Sequence, residues 1–144
     1  MIYLDTSIVV PLIVAESGSA KARAWRDGLP TRQVRELMLS AWTITEFTSA
    51  ISMKIRQREI TRAEGEGALD IFHDLLMPRL NVLEPIPTDF RFAETMLREF
   101  SHGLRAGDAL HLAIAVRASA RQFVTLDRDL RKAASAMGLA VVPG

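Results

Sequence analysis

Short apolar runs alternate along this chain with longer stretches whose apolar residues recur at helical spacing. The runs at 1–5, 37–42, 80–84, 121–126 and 139–142 read as strands, and the stretches near 8–27, 44–58, 61–77, 88–101, 106–119 and 128–137 read as helices. Such alternation predicts an α/β fold: a central, mostly parallel sheet of about five strands flanked by helices. Pro78, Pro85, Pro87 and the pair His102-Gly103 mark element boundaries, and Gly138 marks the stop of the last helix. No linker, repeat or low-complexity tract intervenes, so residues 1–144 are expected to form one domain.

Four acidic residues stand where these patterns change. Asp5 closes the run Met1-Ile2-Tyr3-Leu4, Asp127 closes Phe123-Val124-Thr125-Leu126, Glu46 follows the run 37–42 at the opening of a helix, and Asp108 falls in the first turn of Asp108-Ala109-Leu110-His111-Leu112-Ala113. Open α/β sheets build sites outside the carboxyl ends of their strands, so the four carboxylates are placed to converge. Converging carboxylates resist common ionisation unless a cation lies between them, and an all-oxygen set suits magnesium or manganese.

Each acid also has a structural reading. Thr43-Ile44-Thr45-Glu46 has the form of a capping box, and on local sequence alone the cap is the favoured role for Glu46. Asp127 reads equally as the N-cap of the helix after it, and Asp108 as a complement to a helix dipole. Asp5, at the end of an N-terminal buried strand, has the least structural reason to be acidic. Asp129 reads as a residue supporting the site, Glu16 as surface, and His111 as packing or a supporting contact one turn after Asp108.

Composition narrows the chemistry. The chain has 49% hydrophobic and 24% charged residues and no cysteine, which suits a cored domain in a reducing compartment, the cytosol by default. The apolar stretch 8–15 is too short to span a bilayer, and no membrane association is expected. His73, His102 and His111 share no metal-ligand spacing and form no acid–base pair, and Glu64-Gly65-Glu66-Gly67 lacks the strand and third glycine of a phosphate loop. Aromatic residues are too scattered for a base-stacking platform. Net charge is +1, yet without the four acids the surface is mildly basic, with clusters at Lys21, Arg23, Arg26, Arg32 and Arg35 and at Lys54, Arg56, Arg58 and Arg62. These clusters serve either to steer a phosphate backbone or as solvated helix faces.

Together, Met1-Ile2-Tyr3-Leu4-Asp5-Thr6-Ser7, Thr45-Glu46, Leu104-Arg105-Ala106-Gly107-Asp108-Ala109-Leu110-His111-Leu112-Ala113 and Val124-Thr125-Leu126-Asp127-Arg128-Asp129-Leu130 resemble the PIN-domain nucleases, most closely the VapC toxins. The resemblance covers nearly the whole chain, with all four acids in order. It implies a three-layer α/β/α fold, with Asp5, Glu46, Asp108 and Asp127 holding Mg2+ or Mn2+ and Thr6, Ser7 and Thr125 as supporting hydroxyls. It further implies hydrolysis of RNA phosphodiesters by metal-activated water, a VapB-like antitoxin partner, and a homodimer. Contacts with partners are expected around 8–27 and 44–58, including Arg56 and Arg58. Pro11 and Gly107 depart from the expected pattern; the first bears on the shape of the first helix, and the second admits a close approach beside Asp108.

The same residues leave two rivals. A haloacid-dehalogenase-type phosphotransferase also opens with an aspartate at a strand end, but needs a second acid at the position Ser7 holds here. A PIN-like binding or scaffold module without cleavage activity is the other, and such modules usually show by loss of an acid.

Overall fold

A computed structural model describes residues 1–99 and 103–143. Five strands, β1 (Ile2–Leu4), β2 (Leu37–Ser40), β3 (Asn81–Leu83), β4 (Gln122–Val124) and β5 (Ala140–Val142), form one sheet in the order β3-β2-β1-β4-β5. Every neighbouring pair is parallel, with Tyr3 opposite both Met38 and Phe123. Among the described residues the helices are α1 (Thr6–Ile13), α2 (Ser19–Asp27), α3 (Trp42–Arg56), α4 (Arg62–Asp70), α5 (Pro87–Leu97), α6 (Ala106–Arg117) and α7 (Arg128–Ala136).

Side chains alternate across the pleat, so each strand feeds two cores. Tyr3, Met38 and Phe123 point to one face and pack with Ala93, Met96, Leu112, Ile114 and Leu130 from α5, α6 and α7. Ile2, Leu4, Leu37, Leu39 and Val124 point to the other and pack with Ile8, Val9, Ala22, Phe47, Ile51 and Ala68 from α1 to α4. The result is the expected three-layer α/β/α arrangement. Both faces are covered, which is why the strands read as continuous apolar runs.

The local departures have local causes. The expected helix over 8–27 is two helices. Val14 leaves the helical conformation, Ser17 and Gly18 form the corner, and Ser19 Oγ donates to the carbonyls of Pro11 and Val14 at 2.8 and 3.2 Å, satisfying the end of α1. Pro11 sits inside α1 without ending it. A side chain on Gly18 would lie 2.7 Å from Leu126 Cδ1, so glycine lets the corner pack against that side chain without displacing it. The expected helix over 61–77 ends as α at Asp70 and continues through a wider π turn (Ile71–Leu76), which turns Phe72 inward to stack on Phe47 at 4.4 Å. The strand over 37–42 stops at Ser40, and the following helix starts at Trp42 rather than 44. His102 and the last residues of the helix expected over 88–101 lie outside the described residues.

The chain builds the sheet outward from β1 to β3, then returns to the other side of β1 for β4 and β5. β1 and β4 are therefore neighbours at the point where the direction of building reverses, and a crevice opens beyond their carboxyl ends.

Candidate metal centre

Asp5 leaves the end of β1 as the N-cap of α1, and it is buried, with 4% of its surface exposed. The structural reason that its sequence seemed to lack is therefore present, and it uses a single oxygen. Oδ2 accepts from Ser7 Oγ at 2.5 Å, Thr125 Oγ1 at 2.8 Å and the Ser7 N–H at 3.3 Å. Ser7 Oγ in turn accepts from the Leu126 N–H at 2.9 Å, and Thr125 Oγ1 from the Asp127 N–H at 3.0 Å, so the two hydroxyls tie the ends of β1 and β4 together.

Glu46 corrects the sequence reading. Thr43 is no cap: α3 has already begun at Trp42 with Ala41 before it, Thr43 is fully buried, and Glu46 lies in the second turn. Its carboxylate reaches away from its own helix end. Oε2 accepts from Thr6 Oγ1 and lies 2.6 Å from His111 Nε2. Burial works to raise this carboxyl, but the hydrogen bond and charge of His111, helped by Thr6, outweigh it and hold Glu46 below the ordinary carboxylate range.

Asp108 folds back to accept the Arg105 N–H on Oδ2 at 3.1 Å, at the start of α6. Half-burial, together with the charges of Asp127 and Asp5, pushes its carboxyl above the ordinary value despite that bond and the nearby Arg105 charge. Asp127 is the N-cap of α7, its Oδ1 accepting from the Asp129 and Leu130 N–H groups at 2.9 and 2.8 Å.

All four carboxylates line one cavity of about 430 Å³, with Thr6, Ser7, Trp42, Thr45, Ser49, Met53 and Arg105. They share a pattern. One oxygen of each is held by the protein, and the other, Oδ1 of Asp5, Oε1 of Glu46, Oδ1 of Asp108 and Oδ2 of Asp127, accepts no hydrogen bond among the described residues. The Trp42 indole nitrogen, which borders Gly107 as Glu46 Oε1 does, is likewise buried without a hydrogen-bond partner among the described residues. The caps and the proposed ligand set are therefore compatible: capping uses one oxygen, and a hard cation would take the other. Atoms of Asp5, Glu46 and His111 come within 4.8 Å of one another, close enough to share an ion. Four free carboxylate oxygens on one cavity, with Asp108 pushed up by burial and by the charges of Asp127 and Asp5, fit a divalent cation.

His111 is the residue whose weight the sequence understated. It is fully buried on α6, with Nδ1 2.8 Å from the Tyr3 hydroxyl and Nε2 facing Glu46 and, at 3.6 Å, Asp5 Oδ1. Tyr3, Trp42 and Arg105 gave no separate signal. Asp129 does not support the site through its side chain, which is exposed and lies 3.9 Å from Lys132, and Glu16 pairs with Lys54 at 2.7 Å on a neighbouring cavity. Several residues of the two basic clusters, read either as steering a phosphate backbone or as solvated helix faces, are paired: Arg26 with Asp27, Lys54 with Glu16 and Glu59, and Arg62 with Glu66. Arg105 stands at the acidic cavity itself.

The PIN domain profile matches residues 2–136, the span that carries all four acids. The chain belongs to the PIN domain family. Ribonuclease VapC45 of Mycobacterium tuberculosis (strain CDC 1551 / Oshkosh) is 30% identical over 145 residues, covering 99% of this PIN domain chain and 95% of that protein. The solved structure of M. tuberculosis VapC20, described as a Sarcin-Ricin loop cleaving toxin, superposes with a TM-score of 0.75 at 18% identity, covering all of both chains. VapBC2 of Rickettsia felis, solved bound to a DNA fragment from its promoter, gives a TM-score of 0.66 at 17% identity over 99% of this chain and 98% of that one. Both structures share the fold of this PIN domain. No helix among its described residues is long and apolar enough to cross a membrane.

Proposed function

We propose that this PIN domain is a magnesium- or manganese-dependent endoribonuclease, the toxin of a cytoplasmic VapBC-type toxin–antitoxin pair. The observation that carries the reading is the set of four carboxylates in one cavity, each with one oxygen held and one left. The ribonuclease naming of VapC45 and the resemblance to a VapBC complex support it.

Asp5, Glu46, Asp108 and Asp127 would hold the cation. When bound, it supplies Lewis acidity toward the phosphodiester and brings an attacking water toward neutral pKa. Ser7 and Thr125 hold Asp5, while Thr6 and His111 hold Glu46, so the ligand oxygens need no reordering when the ion arrives. Arg105, exposed beside Asp108, gives an incoming phosphate its nearest cation. No histidine pair lines the cavity among the described residues to use the ribose 2′-hydroxyl, so hydrolysis by a metal-activated water would leave 5′-phosphate and 3′-hydroxyl ends. A VapB-like antitoxin and a homodimer are part of the proposal, with contacts assigned to α1, α2 and α3; charge reversal at Arg56 and Arg58 that leaves antitoxin binding untouched removes α3 from that assignment.

The test is cleavage of a structured RNA by the purified protein with Mg2+ or Mn2+, with and without chelator, alongside Asp5→Asn and Asp108→Asn. Metal-dependent cutting lost in both variants is expected. A folded protein that binds RNA equally well in all three forms and cuts under no metal is instead a binding or scaffold module.

A further inference from the structure

We propose that His111 is a positioning residue that donates a hydrogen bond to Glu46, held in that role by Tyr3, and does not itself ligate the cation. The inference rests on the metal-dependent reading above and adds to it a choice that the geometry leaves open, since Asp5, Glu46 and His111 together have the spacing of a mixed nitrogen and oxygen site.

Hydrogen placement decides between the two roles. His111 Nε2 lies 2.6 Å from Glu46 Oε2, and a carboxylate can only accept. A bare Nε2 at that distance would set two lone pairs against each other, so Nε2 carries the hydrogen. The other ring nitrogen agrees. Nδ1 lies 2.8 Å from the Tyr3 hydroxyl, which donates to it when the ring is neutral and accepts from it when the ring is charged. In both states Nε2 keeps its hydrogen. A ligating nitrogen must be bare, so the site as built uses imidazole as a donor.

The surroundings hold this arrangement in place. Tyr3 is fully buried on β1, its ring stacked on Phe123 at 5.4 Å and edge-on to His111 at 5.8 Å. Thr6 Oγ1 donates to the same Glu46 oxygen. Oε2 is thus occupied from two sides, and Oε1 is the oxygen left for a cation. The line Tyr3–His111–Glu46 carries the rigidity of the central strand to a carboxylate on a helix of the other layer, 108 and 65 positions away in sequence.

Two measurements test the proposal. In the first, two-bond imidazole nitrogen–proton NMR correlations of the full-length protein read which His111 nitrogen carries hydrogen, before and after saturation with Mg2+. Retention of Nε2–H in both is expected; its loss on adding Mg2+ makes His111 a ligand and overturns the inference. In the second, Mn2+ affinity is measured by electron paramagnetic resonance for wild type, H111L, H111Q and Y3F. Affinity about 10–100-fold weaker in H111L, largely restored by the amide donor of H111Q and intermediate in the near-isosteric Y3F, is expected. Equal affinity in wild type, H111L and Y3F overturns the inference and leaves the metal reading standing. A wild type that binds no Mn2+ overturns both. Y3F, which keeps the stacked ring, remains decisive where H111L does not fold.

Discussion

Thr125 Oγ1 donates to Asp5 Oδ2 at 2.8 Å, joining two strand ends that are 120 positions apart in the chain. The same hydroxyl accepts the Asp127 N–H at 3.0 Å and lies 3.1 Å from Ser7 Oγ. Thr125 is fully buried and Asp5 is 4% exposed, so the bond between them has little water to replace it if the hydroxyl is lost. Thr125→Val keeps the shape and removes the oxygen. It is expected to lower stability by about 1.5–3 kcal/mol, the range for a hydrogen bond to a charged group. RNA cleavage should fall about 10–100-fold, as for groups that orient metal ligands. Urea titration and single-turnover cleavage check both, and Thr125→Ser, which keeps the hydroxyl, should recover most of each.

Gly107 makes a sharper test, because stability and activity should part. A Cβ there would lie 2.6 Å from Glu46 Oε1 and 3.1 Å from Trp42 Nε1. The near atom is the end of a flexible side chain, so the fold can yield at little cost, and alanine in a helix normally gains up to about 1 kcal/mol over glycine. What yields is Oε1, the Glu46 oxygen that would face the cation in the proposed site. Gly107→Ala is expected to melt no lower than wild type while losing about 10–100-fold in Mn2+ affinity and cleavage. A lower melting temperature with unchanged cleavage would show that glycine serves packing alone.

These two residues show how far the sequence could be read. The strand ends were legible because burial on both faces made them apolar runs, and two of the acids, Asp5 and Asp127, stand where those runs meet helix starts, while Asp108 stands in the first turn of a helix. Asp127 could be read both as cap and as ligand, and the structure makes the two roles compatible by dividing them between oxygens. Glu46 was not legible locally. Its Thr-x-x-Glu pattern imitates a cap, and only the placement of Thr6 and His111 beside α3 shows where the carboxylate goes. Tyr3, Trp42 and the π turn after α4 were illegible for the same reason: their roles depend on neighbours brought by β1, α6 and Phe47, which no window along the chain contains.

Asp89 carries a prediction on pH. It is 2% exposed at the start of α5, accepts the Ile86 N–H on Oδ2, and takes both arms of Arg117 from α6 at 2.7 and 2.9 Å. Burial raises the carboxyl, but Arg117 and the Ile86 N–H outweigh it and hold it below the ordinary range. A carboxyl depressed in the folded state stabilises the fold above its unfolded pKa of about 3.9, and that stabilisation is lost as pH falls through the lower folded value. Asp89→Asn should cost about 2 kcal/mol at neutral pH, less than a fully buried pair because Arg117 is one-third exposed. The gap between wild type and variant, measured by urea unfolding, should narrow below about pH 4. A gap constant from pH 7 to pH 2.5 would assign the effect to packing.

Two glycines on α4 give the same substitution opposite outcomes. At Gly65, a Cβ would meet Ile55 Cδ1 at 2.5 Å, Ile55 Cγ1 at 3.0 Å and Ile51 Cγ2 at 3.1 Å, where α4 crosses α3. Both neighbours are β-branched and stiff at χ1, and Ile51 is buried at 1% exposure, so the helices must part. Gly65→Ala should destabilise by about 1–3 kcal/mol, the usual cost of overpacking. At Gly67, two residues on, a Cβ would meet nothing within 4 Å. Gly67→Ala should stabilise by about 0.5–1 kcal/mol through the restricted unfolded chain and better helix propensity. Urea midpoints moving in opposite directions would establish that α3 and α4 are held at the spacing of a missing side chain; matching shifts would refute this crossing. Because α3 carries Glu46, the same pair read by cleavage tells whether that spacing reaches the metal centre: Gly65→Ala should slow cutting beyond what its unfolded fraction explains, and Gly67→Ala should leave the rate unchanged.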